Sequence, residues 1–323
     1  MKQHFLPKCY LDEFTNADGN IFRLDYFLYK AGRNVYPASK TTSQVCYDFD
    51  IYNLNKTIST EFESYREKNK YYIEQDIFWK YENKYLYLIR KVEKLGRLTQ
   101  SETKLFLRFL VSIKTRNPYI LNSDSGENQS LNDAFNEFSI EFLSGQFEGY
   151  ANLTTEHKQS VLTKLEKHTN KSTEFKKNAD LMAIIWRETE PNSILDRIVE
   201  KLILYEWAIV NTTLNLAFIT TDNPGFCYDA KNIVHNTKFS EGLFVFPLTP
   251  EHCLIISDKT FDVQFYLNPT NKHFFNCELD EATLIKFVNS TNCKSLANIN
   301  KLIISNSACT ITKLLQDFIP VKN

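Results

Sequence analysis

The sequence predicts an α+β fold: a mostly helical middle beside a small mixed or antiparallel sheet built from the N-terminal and C-terminal segments. Three observations predict it. Apolar residues recur at helical spacing from about residue 58 to 210, the period shifts toward two after Thr212, and a short alternating stretch lies near residues 21–25. The 323 residues include only 8 Gly and 9 Pro and are 14% aromatic, which excludes collagen-like, linker-like and disordered readings. A chain of this length buries roughly three quarters of its unfolded surface, so its core needs no staples. The expected organisation is one domain: a small β element over 1–57, a helical part over 58–210 and an α+β part over 211–323.

The elements follow in order. Asn16 to Asn20 is a turn cluster before the alternating run Ile21-Phe22-Arg23-Leu24-Asp25. Phe27 to Lys30 is expected as its partner strand, with Ala31 to Asn34 as a second turn. Ile73, Ile77, Phe78, Tyr81, Tyr85, Leu88, Ile89 and Val92 then mark one helix face. Gly96 can end that helix, and Thr99 or Ser101 can cap the next. Leu105, Phe106, Phe109, Leu110 and Ile113 form its stripe, closed by Asn117-Pro118. Further helices fit 130–144, 154–168, 172–189 and 191–209, the last with a start at Pro191-Asn192-Ser193. Leu216–Thr221, Gly242–Phe246 and Cys253–Ser257 read as short strands, Asp280–Asn289 as a helix, Ile299–Ser305 as a further piece and Thr310–Phe318 as a final helix.

Charge narrows the partners. Lys plus Arg is 38 and Asp plus Glu is 39, a net charge of −1, which argues against a generally basic nucleic-acid coat and against a polybasic membrane binder. A local basic groove stays open, and Glu166 to Lys177 is a Lys-rich candidate. Seven cysteines are widely spaced, with no CxxC pair and hence no zinc-knuckle signal. The N-terminal residues carry no apolar leader, and the longest apolar run, Leu202 to Ile209, is broken by Glu206. A reducing cytoplasm with free thiols is the expected setting. Phosphate-loop, dinucleotide, zincin, nucleophile-elbow and kinase motifs are all missing, so none of those chemistries has support.

Four segments carry residues suited to chemistry. His4 leads into an aromatic, proline-bent stretch, and an imidazole titrating near neutrality is a base or a metal ligand. The plainer reading, a packed hydrogen-bonding residue, comes first. Glu74 and Glu82 lie on one helix; on a straight α-helix they stand about 80° apart in azimuth and about 12 Å apart along the axis, too far to share a metal directly. Glu74 borders the apolar seam, where a buried carboxylate needs a partner or its pKa rises. Arg116 sits in a last helical turn, where it complements the dipole or clamps a phosphate or carboxylate. Thr220-Thr221-Asp222-Asn223-Pro224 ends a strand in turn-forming residues, and Asp222 there is a metal ligand, a base or a structural turn residue.

Together these segments resemble an uncharacterised bacterial family, Domain of Unknown Function 4238. The resemblance rests on His4-Phe5-Leu6-Pro7 with Tyr10-Leu11 and Phe14, Ile73-Glu74, Arg116 with Pro118, and Thr221-Asp222-Asn223-Pro224. Phe246-Pro247-Leu248-Thr249-Pro250 and Ile299-Asn300 extend it, so it runs from residue 4 to about 310. The chain departs from the family's Gln at Lys8 and its aromatic at Cys9. The family name implies no activity. It implies that His4, Glu74, Arg116, Asp222 and Asn223 meet in one place.

Such a set suits a phosphodiester hydrolase, nuclease-like and acting on nucleic acid or nucleotide, in the manner of mobile bacterial defence genes. His4 is its expected base or metal ligand. Glu74 and Asp222 are expected to hold Mg²⁺ or Mn²⁺ or to activate water, with Arg116 on the phosphate. Two alternatives stay open. One is a binding or sensor module in which Arg116 and the Asp222–Asn223 turn hold a small ligand or peptide, with Tyr10, Thr221 and Asn223 as ligand contacts and Tyr36 and Trp207 as further walls. The other is a polar network of His4, Glu74 and Arg116 that only holds the fold.

Overall fold

The computed structural model describes residues 2–54, 68–95, 98–117, 154, 181, 184–212, 216–228, 231, 233–235, 242–258, 279–299 and 301–318. The chain divides into two compact units. One comprises Met1–Ile51, Glu74–Asn117 and Pro191–Asn323, the other Tyr52–Ile73 and Pro118–Glu190. The expected helices over 130–144 and 154–168, most of that over 172–189, Gly96 and the patch Glu166 to Lys177 lie outside the described residues. In the second unit Leu54 donates its N–H to the Lys70 carbonyl at 2.9 Å, and residues 184–189 are helical with Ile184 and Ile185 buried.

The first unit carries the following described elements: β1 (Lys2–His4), α1 (Lys8–Leu11), β2 (Asn20–Asp25), α2 (Tyr26–Lys30), β3 (Ala38–Thr41), β4 (Tyr47–Phe49), α3 (Trp79–Leu95), α4 (Gln100–Thr115), α5 (Ile194–Ile203), β5 (Glu206–Asn211), β6 (Thr220–Thr221), β7 (Phe226–Tyr228), β8 (Val234–His235), β9 (Leu243–Pro247), β10 (His252–Ser257), α6 (Glu281–Ser295), β11 (Leu302–Ser305) and α7 (Ala308–Phe318). A π-helical turn, Ile73–Phe78, leads into α3.

The strands form three antiparallel sheets, so the α+β class stands. β1 pairs with β4, five strands run in the order β5-β10-β9-β7-β8, and four in the order β3-β2-β11-β6. The four-stranded sheet joins N-terminal strands to C-terminal ones, as the flanking β-like segments predict. Its core is Leu24, Ile219, Ile303, Ile311 and Leu314, with α7 laid on it. The five-stranded sheet packs one face on α6 through Val210, Val245, Ile255, Phe287 and Val288. Phe246 on its other face meets Tyr10 of α1, ring centroids 5.6 Å apart, and Tyr10 lies 6.2 Å from Tyr85 of α3. Sheets covered on both sides read as unbroken apolar runs rather than alternation, which is why β9 and β10 look as they do in sequence.

Two element assignments change. Phe27 to Lys30 is helix, not the partner strand of β2. The Asp25 side chain accepts the Leu28 N–H at 3.0 Å and caps a helix at once, and β3 takes the pairing. The helix expected over 191–209 stops at Ile203, and Glu206–Asn211 is strand β5. Trp207, Ile209 and Val210 suit a pleated, buried surface, and the pairing with β10 overrides the helical spacing. The eight apolar positions marked on the helix after Ile73 are all buried, and Thr99 caps α4 in a capping box with Glu102.

Candidate functional site

The last turn of α4 organises the polar residues. Leu107, Leu110 and Val111 are buried on this helix, and Lys114 continues their face at steps of three and four. Lys114, Arg116 and Asn117 are therefore carried into the interior rather than into water. Each is buried, and each is answered by a named polar group.

Arg116 serves one side. Its Nη1 donates to Glu82 Oε1 at 2.7 Å, and its guanidinium carbon lies 4.2 Å from the centre of the Phe78 ring. Arg116 is 1% exposed and Glu82 29%, so the cation is the floor and the carboxylate the rim. The π turn matters here. Its hydrogen bonds span five residues, so each residue turns through less than the usual angle. Glu74 is thereby rotated toward the azimuth of Glu82, correcting the separation a straight α-helix gives. The charge of Glu82 accordingly reaches Glu74, adding to the rise that burial imposes on the Glu74 pKa. The Gln3 side chain, the Arg116 charge and the His4 backbone N–H act in the opposite sense by hydrogen bonding or attraction to the Glu74 carboxylate. Glu74 thus sits against β1, its carboxylate on the Gln3 side chain and the His4 backbone N–H.

His4 is half-buried beside the same pair. Burial lowers its pKa. A hydrogen bond to the Thr42 backbone and the charge of Glu82 oppose the shift, while Lys8 and Arg116 reinforce it. Its Nε2 is buried and makes no hydrogen bond among the described residues. The structure therefore brings His4, Glu74 and Arg116 together, with Glu82 as the carboxylate that joins them.

The Thr-Asp-Asn-Pro turn also meets the α4 terminus. Asn117 Nδ2 donates to the Asp222 carbonyl at 2.7 Å. The Asp222 carboxylate accepts the Lys301 N–H, at 2.8 Å to Oδ2 and 3.1 Å to Oδ1. Asn223 Oδ1 accepts from Lys114 Nζ at 2.7 Å, and the Asn223 N–H donates to Thr221 Oγ1 at 3.2 Å. Lys114 also donates to the Gly225 carbonyl at 2.8 Å. Burial drives the Lys114 pKa down to about 7, opposed by Cys227 and Asp222. Burial also pushes the Cys227 thiol up to about 12. Tyr10 is fully buried, its hydroxyl shared between Thr220 Oγ1 and the Pro247 carbonyl, each at 2.8 Å. Trp207 is buried with Nε1 on the Leu202 carbonyl, and Tyr36 is exposed.

Lys114 is absent from the sequence candidates, and Glu82 was set beside Glu74 without a role. Leu105 to Ile113 is apolar except at Arg108 and Ser112, and nothing in that spacing marks Lys114 for burial. Among the described residues no group of three or more His, Cys, Asp or Glu is placed to hold a metal ion. A surface hollow of about 250 Å³ lies between α4 and α5, lined by Ser101, Lys104, Arg108, Asp196 and Glu200, well up the helix from Arg116.

No curated protein and no solved structure matches this chain. One family model does, over residues 2–313, and its span takes in every residue of both polar centres. The chain belongs to the family described as "Protein of unknown function (DUF4238)".

Proposed function

We propose that this chain hydrolyses phosphodiester bonds by general acid–base catalysis at the His4–Glu74–Glu82 rim. The observation that carries this reading is the pairing of opposite pKa shifts around one buried arginine: an imidazole pushed down and a carboxyl pushed up. Shifts in these senses bring the two pKa values toward each other, so that a neutral imidazole and a protonated carboxyl coexist as base and acid. His4 takes a proton from the attacking water as its oxygen bonds to phosphorus. Glu74 gives its proton to the departing oxygen as that P–O bond breaks. Glu82 stabilises the imidazolium that forms, and Arg116 is a positioning residue that holds Glu82. Were Mg²⁺ or Mn²⁺ bound, the ionised Glu74 carboxylate would hold it in place of the acid's proton, and the ion would supply positive charge to the phosphate, since Mg²⁺ is commonly bound through one or two carboxylates plus phosphate. The Asp222–Asn223 turn has a supporting role here, because its carboxylate is engaged by the Lys301 backbone. Among the described residues no helix is long and apolar enough to cross a membrane. The six cysteines among the described residues are free, which suits a reducing cytoplasm, and a nuclease there suits a defence role.

Purified protein incubated with RNA, DNA and cyclic nucleotides, with Mg²⁺, Mn²⁺ or a chelator, tests the reading. The wild type cleaves at least one substrate and His4→Gln lowers the rate by about 10²–10⁴-fold. The rate peaks on the acid side of neutrality, since His4 must be unprotonated and Glu74 protonated. Folded wild type without activity on any of these substrates ends the proposal.

A further inference from the structure

The turn between β9 and β10 carries an imidazole that the acid–base centre does not use. Thr249 of this turn belongs to the Phe246–Pro250 segment, which the proposed reaction also leaves aside. Its hydroxyl oxygen accepts two backbone donors, the Glu251 N–H at 3.1 Å and the His252 N–H at 3.0 Å. The same oxygen lies 2.9 Å from His252 Nδ1. A hydroxyl has two lone pairs and one hydrogen. The two N–H groups occupy the lone pairs, so the hydrogen is donated to Nδ1. Nδ1 is therefore the acceptor, and the ring is neutral with its proton on Nε2.

A second acceptor faces the same nitrogen. Glu93 Oε1 of α3 lies 3.7 Å from Nδ1, beyond hydrogen-bond range but within reach of an ion pair. Both Glu93 oxygens accept from Arg90 Nη1, at 2.8 and 2.9 Å. Arg90 Nη2 in turn reaches Oε2 of Glu13, in the 3-10 turn after α1, at 3.0 Å. The charged groups around the ring are thus Glu93 and Arg90 from α3, Glu251 from its own turn and, through Arg90, Glu13. Asn211 stands opposite it on β5. Burial lowers the His252 pKa, Glu93 and Glu251 oppose the shift, and Arg90 reinforces it. Burial raises that of Glu13, against the pull of Arg90.

A proton added to Nδ1 takes away the acceptor of the Thr249 hydroxyl, and the new N–H points at an oxygen with no lone pair to spare. We propose that His252 is a two-position latch, bonded to Thr249 of its own turn when neutral and to Glu93 of α3 when protonated. In the second position it competes with Arg90 for Glu93. The Pro247 and Leu248 carbonyls, which receive the Tyr10 and Tyr85 hydroxyls, immediately precede Thr249. Acidification therefore re-ties the turn next to two of the buried hydroxyl contacts of α1 and α3.

Long-range proton–nitrogen NMR of the imidazoles in the ¹⁵N-labelled protein tests the latch, with the His252 signals identified by their loss in His252→Gln. The neutral wild-type ring carries its proton on Nε2. Thr249→Val removes the donor that favours the neutral ring, so the His252 titration midpoint rises, whereas Thr249→Ser keeps it in place. Glu93→Gln removes the partner of the charged ring, so the midpoint falls. Each displacement is about 0.4 to 1 pH unit, the size of one such contact. A neutral ring protonated on Nδ1, or midpoints that stay put or move the same way in Thr249→Val and Glu93→Gln, overturns the proposal. Should Thr249→Val fail to fold, the wild-type tautomer and the Glu93→Gln midpoint decide it.

Discussion

Lys114 shows how much one side chain can reveal. Its ammonium group is fully buried with Asn223 Oδ1 and the Gly225 carbonyl as acceptors, both neutral. The folded protein sheds this proton at about pH 7, whereas the unfolded chain holds it to the ordinary lysine value of 10.5. Between those values the unfolded state binds more protons, so stability rises with pH, with a slope of up to about 1.4 kcal/mol per pH unit from this group. Below about pH 7 both states are protonated and the group adds no slope. Urea titrations from about pH 6 to about pH 9 are expected to show the wild type gaining stability as pH rises. Lys114→Met should lack that gain. Parallel curves for the two proteins would show that Lys114 keeps its proton in the fold. The same residue marks a limit of sequence reading. A lysine is ordinarily a surface residue, and its burial depends on a turn more than a hundred positions away, which local spacing does not report. His4, Glu74 and Arg116 were legible because their residue types carry chemistry wherever they sit. Glu82 was visible only as spacing.

At the scale of elements, legibility followed burial pattern. The stripe from Ile73 to Val92 and that of α4 were plain, since each helix shows one broad apolar face to the core. The π turn was not, because a shift in hydrogen-bond span leaves the residue types unchanged, and it is that shift which turns Glu74 toward Glu82. β5 reads as helix in the sequence because a strand buried on both faces loses its alternation. The turn between β6 and β7 is the most tightly specified connection in the site. Gly225 has φ +71°, and a Cβ placed there would come within 2.4 Å of Phe246 Cδ2. Left-handed backbone alone costs a non-glycine residue about 1–2 kcal/mol. Gly225→Ala is therefore expected to destabilise the protein by more than about 1 kcal/mol in chemical denaturation. It should also disturb the acceptor offered to Lys114. An unchanged denaturation midpoint would mean that the turn relaxes freely.

At the scale of the whole molecule, the four-stranded sheet ties distant parts of the chain together. β11 lies between β2 and β6, and Lys301 just before it donates to the Asp222 carboxylate. Removing residues 302–318 takes out an inner strand and the helix that covers Leu24 and Ile303. The shortened protein is expected to lose its cooperative melting transition, as followed by circular dichroism. A sharp transition near that of the full chain would show that the remaining strands close on each other.

The placement of β11 also sets an order of events during synthesis. A ribosome releases β2, β6 and the Thr-Asp-Asn-Pro turn before it releases the strand that unites them, so the nascent chain holds two unjoined sheet edges and an Asp222 carboxylate still in water. Closure of this sheet and engagement of the Asp222 carboxylate by the Lys301 N–H therefore come only after β11 has been made.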